Sequence, residues 1–349
     1  MPISRDKVER ISFQVINVLF SRFEKFPEDA TNNRNAPFHT AFLKAFDDKF
    51  EGKVSDVPFF VSMSSWLHGL NTTLGLTFFE NVAHILCDGE KREYTSKKLG
   101  NLPIARRQKE CASDIITDLS TSKAAPNPSD ENARIFVGDS PETVSAIDFS
   151  ADVFIDDGLE ITAIELKSVR PNSGEMRGEK QKILEGKAAL YKKFPERQVK
   201  FLIGFPFDPT NATSATGYDK GRFLSSIINM KKYFAPGEVL LANELWDFLS
   251  GEESTMEQLL EIINKIATTE FLTKYEFINN QNHKREDMEM YKLRLAEWNL
   301  DSELKLVNNE NVIKKRIEND KKLTRIFNQL VFKGKEYNVD RFTALNELL

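Results

Sequence analysis

The chain has 349 residues, with 48 Lys and Arg against 53 Asp and Glu and a formal net charge of −5, so a uniformly basic nucleic-acid coat is excluded and any polyanion must be met by local patches. Two cysteines, Cys87 and Cys111, and four scattered histidines exclude a clustered zinc site and read as reduced thiols beside ordinary imidazoles. No apolar run approaches the roughly 20 residues that span a bilayer, and the N-terminus lacks the apolar core of a signal peptide, so the expected location is cytoplasmic and no membrane contact is expected.

Residues 4–50 read as amphipathic helices. Ser4 can cap the first, Val8, Ile11, Val15, Val18 and Leu19 follow at helical spacing, and Phe38, Phe42 and Phe46 repeat every four residues. A further helix is predicted over 74–86, with Phe78, Phe79, Val82, Ile85 and Leu86 as its buried stripe. Glu80 lies beside that stripe, either as an extra metal ligand or as a surface carboxylate paired with a nearby cation. His84, one turn on, is expected to pack or hydrogen-bond rather than to coordinate. Residues 91–109 then carry seven basic side chains and one acid, Glu93; this segment either faces phosphates or is simply solvated. Residues 124–129, Ala-Ala-Pro-Asn-Pro-Ser, form a loop before the central hairpin.

Residues 151–155 are rich in strand formers, Asp156-Asp157-Gly158 is a turn signal, and residues 160–167 read as the returning strand. Side chains alternate along a strand, so Glu165 and Lys167 share one face while Ile164 and Leu166 take the other. Asp152 on the neighbouring strand is placed to meet Glu165 across the ladder, where directly opposed Cβ atoms lie roughly 5 Å apart. Two carboxylates that close repel, and a divalent cation holds them best. Magnesium accepts hard oxygen ligands and keeps several waters, so Asp152, Glu165 and the Leu166 carbonyl suffice as the protein's share, with Glu80 as a possible addition. Such an ion acidifies water and neutralises charge on a phosphate, and Lys167 can orient or help deprotonate the nucleophile. A lone Glu-x-Lys is more often a solvated strand face. The order of elements around it argues for phosphodiester hydrolysis.

A helix is predicted over 174–191, ending near Pro195, and the apolar run 199–205 suits a buried strand. Residues 167–200 hold ten basic side chains against four acids. Arg170, Asn172, Arg177 and Lys180 lie just past the catalytic strand, and Tyr218, Lys220 and Arg222 lie in or beside a polar loop over 208–222; all seven are candidates for DNA contact, as base readers or as phosphate clamps.

Residues 163–180, from Ala-Ile-Glu-Leu-Lys through the Arg-Pro-Asn run to Lys180, preceded by Ser150-Ala151-Asp152, resemble the PD-(D/E)xK nucleases and most closely type II restriction endonucleases of the TdeIII family. Ala151 stands where the superfamily motif has proline. The resemblance is strong over roughly residues 75–250 and implies an α/β restriction-endonuclease-like core, a mixed central sheet flanked by helices, with helical N- and C-terminal elaborations. It makes Asp152, Glu165 and Lys167 catalytic. It also implies magnesium-dependent cleavage of double-stranded DNA, a GGNCC target, 5'-phosphate ends, and a cognate DNA methyltransferase in the same system without stable contact.

The expected organisation is a helical layer over 1–70, the nuclease core over 71–250 and a helical region over 251–349, within one continuous unit. The charged stretch 283–322 is expected to form long surface helices that embrace DNA or join a second subunit. A palindromic duplex favours a homodimer. Two other readings share these residues: a structure-specific repair or junction nuclease of the same fold, and a non-catalytic DNA-binding protein whose acids are structural.

Overall fold

In a computed structural model, residues 2–27, 41–53, 57–136, 142–167 and 175–349 are described. They divide into two compact units, one of Phe79–Leu260 with the extreme N-terminus, the other of Ser4–Phe78 with Glu261–Leu349. In chain order the main elements up to the end of the first unit's sheet are α1 (Arg5–Phe23), α2 (Val57–Thr73), α3 (Phe79–Cys87), β1 (Glu90–Tyr94), β2 (Pro103–Ala105), α4 (Arg106–Ser120), α5 (Pro128–Ile135), β3 (Thr143–Ser145), β4 (Phe149–Asp156), β5 (Glu160–Leu166), α6 (Glu175–Lys193), β6 (Gln198–Phe205), α7 (Lys220–Ser226), β7 (Val239–Leu241) and α8 (Asn243–Ser250).

The first unit is an α/β layer structure around a five-stranded mixed sheet of order β1-β4-β5-β6-β7. The β1-β4 and β4-β5 pairs are antiparallel, whereas β5-β6 and β6-β7 are parallel. The β4-β5 hairpin closes on the predicted turn: Gly158 takes a positive φ of 91°, which glycine adopts without a Cβ clash, and the Asp157 carboxylate accepts the N–H groups of Leu159 and Glu160. From Ile161 to Glu165 every residue of β5 is buried, as expected of an inner strand covered on both faces. Parallel pairing of β5 with β6 requires a long crossover, and α6 supplies it before β6 begins at Gln198. Phe149 packs 5.0 Å from Tyr94 and 6.1 Å from Phe201 between ring centroids, tying three strands into one core.

The ladder slips within β4. Glu90 pairs with Phe154 but Arg92 pairs with Ala151, so two steps on β1 oppose three on β4, and the extra residue lies at Asp152-Val153. Such a bulge bends the strand and re-aims its side chains.

In the second unit Ser4 caps α1 by accepting the Lys7 N–H, and Ile11, Val15 and Val18 of the predicted stripe are buried, with Val8 and Leu19 half-buried. Phe42 and Phe46 are exposed, and Phe38 lies outside the described residues. The stretch 283–322 corrects the expectation of long surface helices. It is cut into short ones, among them α9 (Met288–Glu297), whose start Asp287 caps by accepting the Met290 N–H, and α10 (Asp301–Asn308) and α11 (Glu310–Ile317), which start without a side-chain cap. Its apolar residues Leu306, Ile313 and Ile317 share a core with Phe327 and Leu345. No helix among the described residues is long and apolar enough to cross a membrane.

Candidate active site

The hairpin brings Asp152 and Glu165 to one end of the sheet, both buried. The regular β4-β5 ladder stops at Val153 opposite Ile164, one step short of the predicted Asp152-Glu165 pair. Beyond it the Asp152 carboxylate itself takes up the pairing, accepting the Leu166 N–H at 2.9 Å. The bulge thus turns a backbone position into a carboxylate held by the neighbouring strand's main chain. From α3, the His84 ring Nε2–H donates to the Asp152 carbonyl at 2.6 Å, which fixes that imidazole as a support.

Three lysines converge on these acids. The Lys91 ammonium on β1 lies 3.1 Å from Asp152 Oδ1 and 3.0 Å from each oxygen of Glu80, so Glu80 meets a cation of the protein's own. Burial raises the Glu80 carboxyl and the pull of Lys91 only partly offsets it; burial opposes the Lys91 charge as well, but Asp152 and Glu80 outweigh that and hold its ammonium high. Lys167 Nζ lies 3.2 Å from Glu165 Oε1, 3.0 Å from Glu179 Oε1 and 3.5 Å from Glu175 Oε1. Lys182 Nζ reaches Glu165 Oε1 at 3.1 Å and Glu179 Oε2 at 3.0 Å. Burial, and after it the nearby Asp152, push the Glu165 carboxyl up, with Lys182 and Lys167 opposing. Burial works against the Lys167 ammonium, yet Glu165 and Glu179 together push its affinity for the proton well above the usual lysine value. Glu165 and Glu179 thus hold Lys167 as an ammonium.

The donor set suits a hard divalent cation. Five carboxylates (Glu80, Asp152, Glu165, Glu175 and Glu179) face three ammoniums (Lys91, Lys167 and Lys182), a formal shortfall of two positive charges. Among the described residues no three His, Cys, Asp or Glu side chains cluster closely enough to hold a metal by themselves. A site here would need a carbonyl and water to complete two carboxylates.

The family model for the type II restriction endonuclease HinfI matches residues 5–267 of this chain. The chain belongs to this HinfI family of type II restriction endonucleases. It is also 42% identical over 368 aligned positions, covering 100% of this chain and 98% of the relative, to the type II restriction enzyme MjaII of Methanocaldococcus jannaschii. Membership of the family makes the protein a site-specific deoxyribonuclease acting on double-stranded DNA, as the sequence resemblance implied, and sets aside the reading of a non-catalytic DNA-binding protein. The family that matches is HinfI's, and TdeIII is not specified by it. Type II restriction endonucleases generally use divalent metal ions, in keeping with the charge balance of the site.

The expected DNA contacts of this endonuclease divide by exposure. Arg177 on α6 is exposed and makes no ion pair among the described residues, Tyr218 is 41% exposed, and Arg222 is half-exposed while its guanidinium braces Thr210 and Asp208. Lys180 corrects the expectation. It has no exposure and lies 2.7 Å from Glu238 Oε1 and 2.5 Å from Glu131 Oε2, an internal ion pair out of reach of a phosphate. Lys220 is similarly committed, donating to the Pro236 and Val239 carbonyls and to Glu244, so its role is to tie α7 to β7 and α8. Arg170 and Asn172 lie outside the described residues.

Sequence reasoning missed Lys91, Glu179 and Lys182. Nothing in the sequence places Lys91 beside Asp152, which lies on a strand far along the chain, although its other partner, Glu80, stands on the preceding helix. Glu179 and Lys182 do carry one: with Glu175 they stand at i, i+4 and i+7 and so line one face of α6.

Proposed function

We propose that this restriction endonuclease hydrolyses DNA phosphodiesters with Mg2+ at GGNCC sites, leaving 5'-phosphates, and that Asp152, Glu165 and Lys167 carry the reaction. The observation behind this reading is the meeting of Asp152 and Glu165 from adjacent strands with the Lys167 ammonium 3.2 Å from Glu165. Asp152, Glu165 and the Leu166 carbonyl would hold the ion. When bound, it supplies Lewis-acid stabilisation of the phosphate and an acidified water. Lys167, protonated beside Glu165 and Glu179, donates to a non-bridging phosphate oxygen as charge builds on it. His84 and the Leu166 N–H hold Asp152 in place, and Lys91 compensates the charge shared by Asp152 and Glu80. Water adds to phosphorus, the bond to the 3' oxygen breaks, and that oxygen leaves with a proton.

GGNCC follows from the likeness to TdeIII-type enzymes. Arg177, Tyr218 and Arg222, with Arg170 and Asn172, are its proposed DNA contacts. A palindromic target cut on both strands by a chain with one such site calls for a homodimer. A host making this enzyme needs a methyltransferase of the same specificity, and a cytoplasmic location follows from that role.

Digesting plasmid DNA of known sequence with Mg2+ and sequencing the fragment ends tests the reading. Cuts at GGNCC with ligatable 5'-phosphates are expected, and Lys167→Ala should lose at least about 10²-fold in rate while still binding the site. Cuts at another sequence remove the target assignment; full activity in Lys167→Ala removes the role of Lys167.

A further inference from the structure

The face of α6 that carries Glu175, Glu179 and Lys182 adds charges to the site that the Glu-x-Lys tripeptide does not contain. Lys182 Nζ and Lys167 Nζ contact the same oxygen of Glu165, at 3.1 and 3.2 Å, and each also contacts one oxygen of Glu179, both at 3.0 Å. Two ammoniums and two carboxylates thus alternate in a closed ring, and each positive group touches both negative ones. The helix is secured from elsewhere on its surface by the buried Lys180, paired with Glu131 and Glu238, so the stripe is fixed in rotation.

Charge balance separates a bystander from a participant. The ring is neutral as it stands. Once Glu165 is engaged by a divalent ion, Lys167 keeps Glu179 and Glu175 as carboxylate partners whereas Lys182 keeps Glu179 alone, so Lys182 is the ammonium left least compensated. The Lys167 and Lys182 side chains keep 17% and 19% of their surface exposed, so both retain an open edge. A lysine serving only to neutralise buried carboxylates needs no such edge, as Lys180 shows with none.

We propose that Lys182 is a second catalytic lysine, contacting a non-bridging oxygen of the scissile phosphate beside Lys167, and that Glu179 is the positioning residue holding both ammoniums at Glu165. This rests on the assignment of Asp152, Glu165 and Lys167 made above. Lys182 then does from a helix what Lys167 does from a strand, and the developing negative charge is met from two directions.

The experiment compares wild type, Lys167→Met, Lys182→Met, Lys182→Arg and Glu179→Gln. Single-turnover cleavage of a duplex with one target site is measured in Mg2+, and affinity for the same duplex in Ca2+. Lys182→Met should cleave on the order of 10²-fold more slowly, with the dissociation constant within about threefold of wild type, and Lys182→Arg should recover part of the rate. Glu179→Gln should slow cleavage about tenfold or more through misplaced lysines, again with affinity preserved. If Lys182→Met cuts at the wild-type rate while Lys167→Met is dead, the second-lysine proposal is overturned and the assignment of Lys167 stands. If both cut normally, that assignment fails with it. A loss of rate in Lys182→Met that is matched by an equal loss of affinity, or by a lower melting temperature, also overturns the proposal, because it assigns Lys182 to binding or folding.

Discussion

Lys180 and Lys182 stand two residues apart on one helix and have opposite fates. Lys182 points to the site, whereas Lys180 is fully buried between Glu131 and Glu238. Helical geometry explains the difference: Met176, Lys180, Ile183 and Leu184 fall on the packed side of α6, and Glu175, Glu179 and Lys182 fall on the side that meets Glu165. That spacing is readable in the sequence, but nearness along the chain to the catalytic strand takes no account of it and makes Lys180 a DNA contact. Breaking a buried ion pair by removing one partner costs more than the pair is worth, since the orphaned carboxylates stay desolvated. Lys180→Met should therefore lower stability by about 3–5 kcal/mol in urea unfolding; a loss under about 1 kcal/mol would show that the pair is as weak as a surface one.

Elements were the most legible level. The hairpin, α6 and β6 appear within a few residues of their predicted bounds, because turn residues and apolar periodicity act over a few positions along the chain. The bulge at Asp152 was not legible, as it depends on how β4 meets β1, a strand from far earlier in the sequence. Close packing between elements was hidden for the same reason. Gly186, inside α6, has no room for a methyl group: an added Cβ would lie 2.9 Å from Phe201 and 3.3 Å from Phe149. Alanine is favoured over glycine in a helix by about 1 kcal/mol, but overpacking a filled core costs about 1–3 kcal/mol. Gly186→Ala should thus be neutral to destabilising, by up to about 2 kcal/mol in chemical denaturation, and a clear gain in stability would mean that the two rings move aside freely.

At the scale of the whole molecule, the sheet-bearing unit of Phe79–Leu260 holds all the proposed catalytic side chains, and the N- and C-terminal helical segments gather in the other unit. On the proposed assignment, one set of Asp152, Glu165 and Lys167 per chain would cut one strand at a time, and concerted cleavage of the proposed palindrome would call for two chains. Sedimentation equilibrium should give twice the 40.0 kDa of one chain, at least with target DNA bound. A single chain per site throughout, together with nicked rather than linear first products, would remove the homodimer.

By itself the sequence determined the hairpin, the Asp152 and Glu-Leu-Lys spacing and the kinship they signal, since alternation along a strand and a Gly-containing turn are local consequences of backbone geometry. Tertiary structure alone decided which cations meet those acids. Lys91 arrives from the sheet's edge and Lys182 from the crossover helix, while Lys180 is drawn inward, because strand order, a one-residue slip and the rotation of α6 set distances that no local pattern encodes.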